Sequence, residues 1–135
     1  MEANDFLSTY KGKLDGIIAA NDELANSIID AMSVYIAEEN FPPLSGQDAT
    51  SIGIKNIVDG KQTMTVYKPI DKLATQAAEL ACLLADKKSV VLYDTIYNGY
   101  KNINFIKLEP VVIDSENVKS YTTDSNSYIS EEIKR

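Results

Sequence analysis

Thr63-Met64-Thr65-Val66-Tyr67-Lys68-Pro69 is the stretch that decides how this chain folds. Met64, Val66 and Lys68 fall on one face and Thr63, Thr65 and Tyr67 on the other, which is the two-residue period of a strand. Pro69 stops the run. From Asp71, read as a cap, the spacing of Leu73, Ala77, Leu80, Ala81 and Leu84 predicts a helix whose small alanines let it lie close to a sheet. Upstream the same order occurs twice more. Residues 14–20, with Ile17-Ile18-Ala19-Ala20 uninterrupted, predict a strand covered on both faces, as parallel strands are. Asn21 or Asp22 then caps a helix over residues 23–40 with Leu24, Ile28, Ala31, Met32 and Tyr35 on one stripe. Residues 41–46 are the poorest strand, because Pro42 and Pro43 remove two ladder donors, and residues 49–60 predict a short helix burying Ile54, Ile57 and Val58.

Strand then helix, three times over, predicts an α/β fold: a Rossmann-like parallel sheet flanked by helices. In such folds ligands bind at the carboxyl ends of the strands. Ser45-Gly46-Gln47-Asp48-Ala49 ends the second strand in Asp48, Ala20-Asn21-Asp22 ends the first in Asn21, and Lys68 ends the third. A carboxylate accepts hydrogen bonds, an ammonium donates up to three, and an amide does both. This mixture suits vicinal hydroxyls better than a phosphate, which would reject the carboxylate. The other reading stays open at this point: Asn21 and Asp48 cap helices and Lys68 is an exposed strand end.

Outside these stretches the chain is plainer. Phe6, Leu7 and Tyr10 suit two helical turns ending near Gly12, and residues 90–93, 103–108 and 111–113 predict short strands separated by Asn98-Gly99 and Pro110. After Asp114 a surface helix and a polar tail are expected. Cys82 is expected to be buried filler among helical alanines and leucines.

The 135 residues carry a net charge of -7, which repels phosphate backbones, so no nucleic-acid partner is expected. There is no histidine, which excludes a histidine base, triad or zinc ligand, and the one cysteine has no imidazole to activate it, so no enzyme is expected. No glycine-rich cradle follows a strand, so no cofactor is expected. Asp124-Ser125-Asn126-Ser127-Tyr128 with Glu131 lacks the glycine and spacing of a calcium loop and is read as a solvated tail, leaving no metal site. Met1-Glu2-Ala3-Asn4-Asp5 shows no leader pattern.

Three segments resemble a known family: Ala19-Ala20-Asn21-Asp22, Ser45-Gly46-Gln47-Asp48-Ala49, and Ile57-Val58-Asp59-Gly60-Lys61-Gln62 continuing through Pro69. They are similar to the C-terminal lobe of D-xylose-type periplasmic sugar-binding proteins, type I periplasmic binding proteins in fold. Leu108-Glu109-Pro110-Val111-Val112 and Glu116-Asn117-Val118 are similar to that family's closing segment. The resemblance implies that residues 1–113 are a partial sugar-binding lobe and residues 114–135 its closing helix and tail. It implies Asn21, Asp48 and Lys68 as ligands for a monosaccharide, D-xylose foremost, in the solute-binding subunit of a bacterial sugar ABC importer. The alternative is an extracytoplasmic sensor that signals to a membrane histidine kinase or chemoreceptor. Further implied partners are an N-terminal lobe, which this chain lacks, and a permease or membrane sensor, with self-association of the isolated lobe as a secondary expectation. The implied location is extracytoplasmic. Departures from the family pattern are the absence of Trp, the apparent lack of the lobe's first strand and helix, and Asn102-Ile103-Asn104 where a loop proline is usual.

Overall fold

A computed structural model describes residues 9–10, 14–90 and 94–123. These fall into two compact units, one running to Tyr67 and resuming at Val111, the other spanning Lys68–Pro110.

In the first unit a four-stranded sheet has the order β1 (Ile17–Ile18), β2 (Leu44–Gln47), β3 (Met64–Tyr67), β6 (Val111–Asp114). The first three are parallel neighbours, with Ile17 opposite Leu44 and Gly46 opposite Thr65. β6 returns antiparallel to β3, an arrangement common on the edge of a mostly parallel sheet. β2 begins only after both prolines, and the Pro43 carbonyl instead accepts a hydrogen bond from the Ile17 N–H at 2.8 Å. Helices described from end to end in this unit include α1 (Asp22–Tyr35), α2 (Ser51–Val58) and α4 (Val118–Thr123). One core cluster joins Ala25, Ile29 and Met32 of α1 to Ala19 and Leu44. A second joins Ile54 and Ile57 of α2 to Ala49, Ile113 and Val118, with Tyr67 and Tyr121 packed edge to face alongside. Burying side chains such as Met32, Leu44, Ile54 and Ile113 stabilises by about 1.5–3 kcal/mol each.

Three expectations need correcting here. The buried stripe of α1 is rotated from the one read in the sequence: Leu24 and Tyr35 are exposed, while Ala25 and Ile29 are buried. The cause is Asp22, fully buried at the first turn, which turns the face of Ala25, Ile29 and Met32 inward with it. The helix also stops at Tyr35, and residues Glu38–Asn40 form a separate 3₁₀ turn. Continuing would place Glu38 and Glu39 at the negative end of the helix dipole. On α2, Val58 is exposed rather than buried.

The second unit contains α3 (Ile70–Ala85) and a hairpin of β4 (Asp94–Tyr97) and β5 (Asn102–Phe105). No residue of α3 is buried, so the expected packing of its leucine and alanine face is not seen, and Cys82 is exposed rather than filler. Asp71 lies within the first turn, and Pro69 occupies the cap position without a side-chain bond. Residues 91–93, most of the strand expected at 90–93, and the stretch from Asp124 to Glu131 lie outside the described residues. Of the first expected helix only Thr9 and Tyr10 are described, and both are helical. Among the described residues no helix is long and apolar enough to cross a membrane.

Candidate functional site

Each of the three proposed ligand residues follows a strand of the parallel set. Asn21 lies three residues past β1, Asp48 directly past β2, and Lys68 directly past β3, where it opens the second unit.

Asn21 caps α1. Its side-chain oxygen accepts from the Leu24 N–H at 2.9 Å while its own backbone is extended. That bond uses Oδ1 and leaves the Nδ2 protons to point elsewhere. Capping and ligand binding are therefore compatible in one side chain. Asn21→Ala is expected to cost about 1 kcal/mol of stability by loss of the cap, whereas Asn21→Ser keeps a capping oxygen and loses the amide donor. Urea unfolding checks this: the serine variant should stay within a few tenths of a kcal/mol of the parent.

Asp48 does not cap α2; Thr50 does, its hydroxyl accepting from the Gly53 N–H at 3.3 Å. Asp48 itself is exposed and has φ 95°, and the next residue, Ala49, has φ 53°. Two consecutive non-glycine residues at positive φ are sparsely populated and persist only where the surroundings over-determine them. Three successive amides are held here. The Asp48 N–H donates to the Val66 carbonyl at 2.9 Å, the Ala49 N–H to the Thr65 hydroxyl at 3.2 Å, and the Thr50 N–H to the Asp22 carboxylate at 2.9 Å.

Asp22 binds more than the loop. Its other oxygen accepts from Gln62 Nε2 at 2.8 Å, and that amide donates also to the Met64 carbonyl at 3.0 Å. Gly46 of β2 and Gly53 of α2 lie directly against this carboxylate, so that any Cβ there would collide with it. A buried charge held by several donors is the stable way to place a carboxylate in a core. Sequence reasoning offered Asp22 only as an alternative cap and did not single out Thr65. The usable signal was the pair of lone glycines, Gly46 and Gly53, each on an element that has no turn at that point.

Lys68 is exposed and, with Pro69, Leu73, Ile106, Leu108 and Pro110, lines a hollow of about 250 Å³ within the second unit. Among the described residues no group of three acidic or cysteine side chains is placed to hold a metal ion.

The carboxyl-end placement of polar groups on a parallel sheet narrows the kind of protein, and comparison with known proteins fixes the family. Residues 1–89 match the family described as periplasmic binding protein domain. The chain belongs to that family. The D-xylose-binding periplasmic protein of Haemophilus influenzae is 37% identical over 127 residues, covering 94% of this chain and 38% of that protein. The protein of the same description from Escherichia coli K12 is 39% identical over 113 residues, covering 84% of this chain and 34% of that protein. In structure the chain is similar to an ABC transporter solute binding protein from Clostridium phytofermentans with bound β-D-glucose, at TM-score 0.81 and 28% identity. The match covers 97% of this chain and 42% of that one. The chain thus spans well under half the length of these relatives. The likeness to D-xylose-type periplasmic sugar-binding proteins and the α/β lobe fold are as the sequence led us to expect, and these relatives are binding proteins, not enzymes.

Proposed function

We propose that this chain is the sugar-gripping part of the C-terminal lobe of a solute-binding subunit serving a bacterial sugar ABC importer, with D-xylose as ligand. Asn21 donates through its amide, Asp48 accepts through its carboxylate and Lys68 donates through its ammonium to the sugar hydroxyls. The observation that carries this reading is the left-handed turn at Asp48. A strained backbone clamped at three amides holds an exposed carboxylate at the carboxyl end of a parallel strand, next to the strand that Asn21 follows three residues on. The sugar-binding descriptions of the relatives support the ligand class. A second lobe closes over the sugar, a permease receives it, and the protein works outside the cytoplasm.

The test is a titration of the isotopically labelled chain with D-xylose, followed by amide NMR. The expected result is saturable movement of the amides around Asn21, Asp48 and Lys68, reduced roughly tenfold or more in affinity by Asp48→Asn, since a bond to a charged group contributes about 1.5–3 kcal/mol. Amides at these three positions that stay still at saturating sugar would overturn the assignment.

A further inference from the structure

Resting on the sugar reading of Asp48, we propose that Thr65 is a positioning residue: its buried hydroxyl, together with the Asp22 carboxylate, holds the turn that aims the Asp48 carboxylate at the ligand. Neither Thr65 nor Asp22 is exposed at all, so neither can touch a sugar. Thr65 stands fully buried on β3, opposite Gly46 on one side and Ile113 on the other. Its hydroxyl earns that place through one bond, accepted from the Ala49 N–H at 3.2 Å.

Around this bond the neighbouring amides are also fixed, Asp48 to the Val66 carbonyl and Thr50 to the Asp22 carboxylate, both at 2.9 Å. The backbone between β2 and α2 is thus attached to β3 twice and to α1 once, over three consecutive residues. Ala49 has φ 53° and is itself buried, so it cannot relax outward without giving up its contacts. Removing the middle acceptor leaves a buried amide unpaired in a conformation that residues with a Cβ disfavour. The turn then moves toward negative φ, and the carboxylate of Asp48 moves with it.

The experiment uses the full chain, with D-xylose as probe, and three variants: Thr65→Val, of the same shape without the hydroxyl; Thr65→Ser, which restores the acceptor; and Thr65→Ala, which carries the same test if the valine variant does not fold. Two readouts are taken by NMR. The strong intraresidue HN–Hα NOE of a left-handed residue is followed at Asp48 and Ala49, and the D-xylose affinity is followed by amide shifts. Thr65→Val is expected to lose the left-handed NOE pattern and to bind D-xylose about tenfold more weakly, while Thr65→Ser keeps both. A wild-type turn or wild-type affinity in Thr65→Val, or a serine variant as weak as the valine one, overturns the positioning role. A parent chain that shows the left-handed pattern but no response to D-xylose overturns the sugar reading first, and the positioning role falls with it.

Discussion

Gly46→Ala is expected to destabilise the chain by about 3 kcal/mol, a large share of the 5–15 kcal/mol that holds a typical domain together. The added methyl would collide with the Asp22 carboxylate and come within 2.6 Å of Gln62 Nε2. Neither neighbour can give way cheaply. Asp22 is fully buried and engaged by Thr50 and Gln62, and Gln62 is 3% exposed. Overpacking the site and disturbing the hydrogen bonds that hold the Asp22 carboxylate act together here, and losing one bond to a buried carboxylate by itself costs about 1.5–3 kcal/mol. Gly53→Ala meets the same carboxylate from the other side and should behave alike. Gly60→Ala is the control: it stands at φ 75° with open space around it, so only the backbone penalty of about 1 kcal/mol applies. Urea denaturation of the three variants measures the difference. Coupling between Gly46→Ala and Asp22→Ser should be strongly non-additive, because the smaller side chain removes the collision. Equal stability of the Gly46 and Gly60 variants would show that the carboxylate does not sit where the structure places it.

On its own, the chain is expected to bind D-xylose no more tightly than millimolar. Three contacts to charged or amide groups give a gross gain of roughly 5–9 kcal/mol at about 1.5–3 kcal/mol each. Association itself costs an estimated 4–15 kcal/mol, so even the most favourable combination leaves a net of only about 5 kcal/mol, close to the 4.1 kcal/mol of a millimolar complex. Supplying the partner lobe that the proposed function requires adds donors, acceptors and exclusion of water on the opposite side of the sugar. A gain of about 4 kcal/mol from that closure would be a thousandfold, from millimolar to micromolar. Calorimetry on the chain with and without the second lobe reads the difference directly. Micromolar binding by this chain unaided would mean that its site is far more enclosed than three strand-end groups can make it.

The strand-and-helix order was legible because periodicity and punctuation agreed: alternating residues from Thr63 to Tyr67, then Pro69, then a helical stripe. The positions of Asn21, Asp48 and Lys68 after their strands followed from the same grammar. What stayed hidden was polar and buried. Asp22 turned α1 away from the stripe that hydrophobicity alone selected, since counting apolar residues treats every aspartate as a surface group. Thr65 looked like an ordinary β-branched strand residue, and nothing in its neighbours betrayed a bond to an amide sixteen positions away. The positive φ values at Asp48 and Ala49 were equally unreadable, because neither is glycine. Cys82 and the leucines of α3 were misjudged for the opposite reason: a helical apolar stripe states what a helix can bury, not what its own unit supplies to cover it.

The Asp22 carboxylate binds Thr50 and Gln62, which lie 28 and 40 positions further along the chain. Contacts of that span can form only after the intervening chain has closed, and closure entropy must be overcome before they contribute. The bend at Asp48 is therefore fully held only when the first helix and the third strand are both in place. A half-folded chain carries the same residues without that bend fixed, so the geometry at Asp48 is a property of the finished unit.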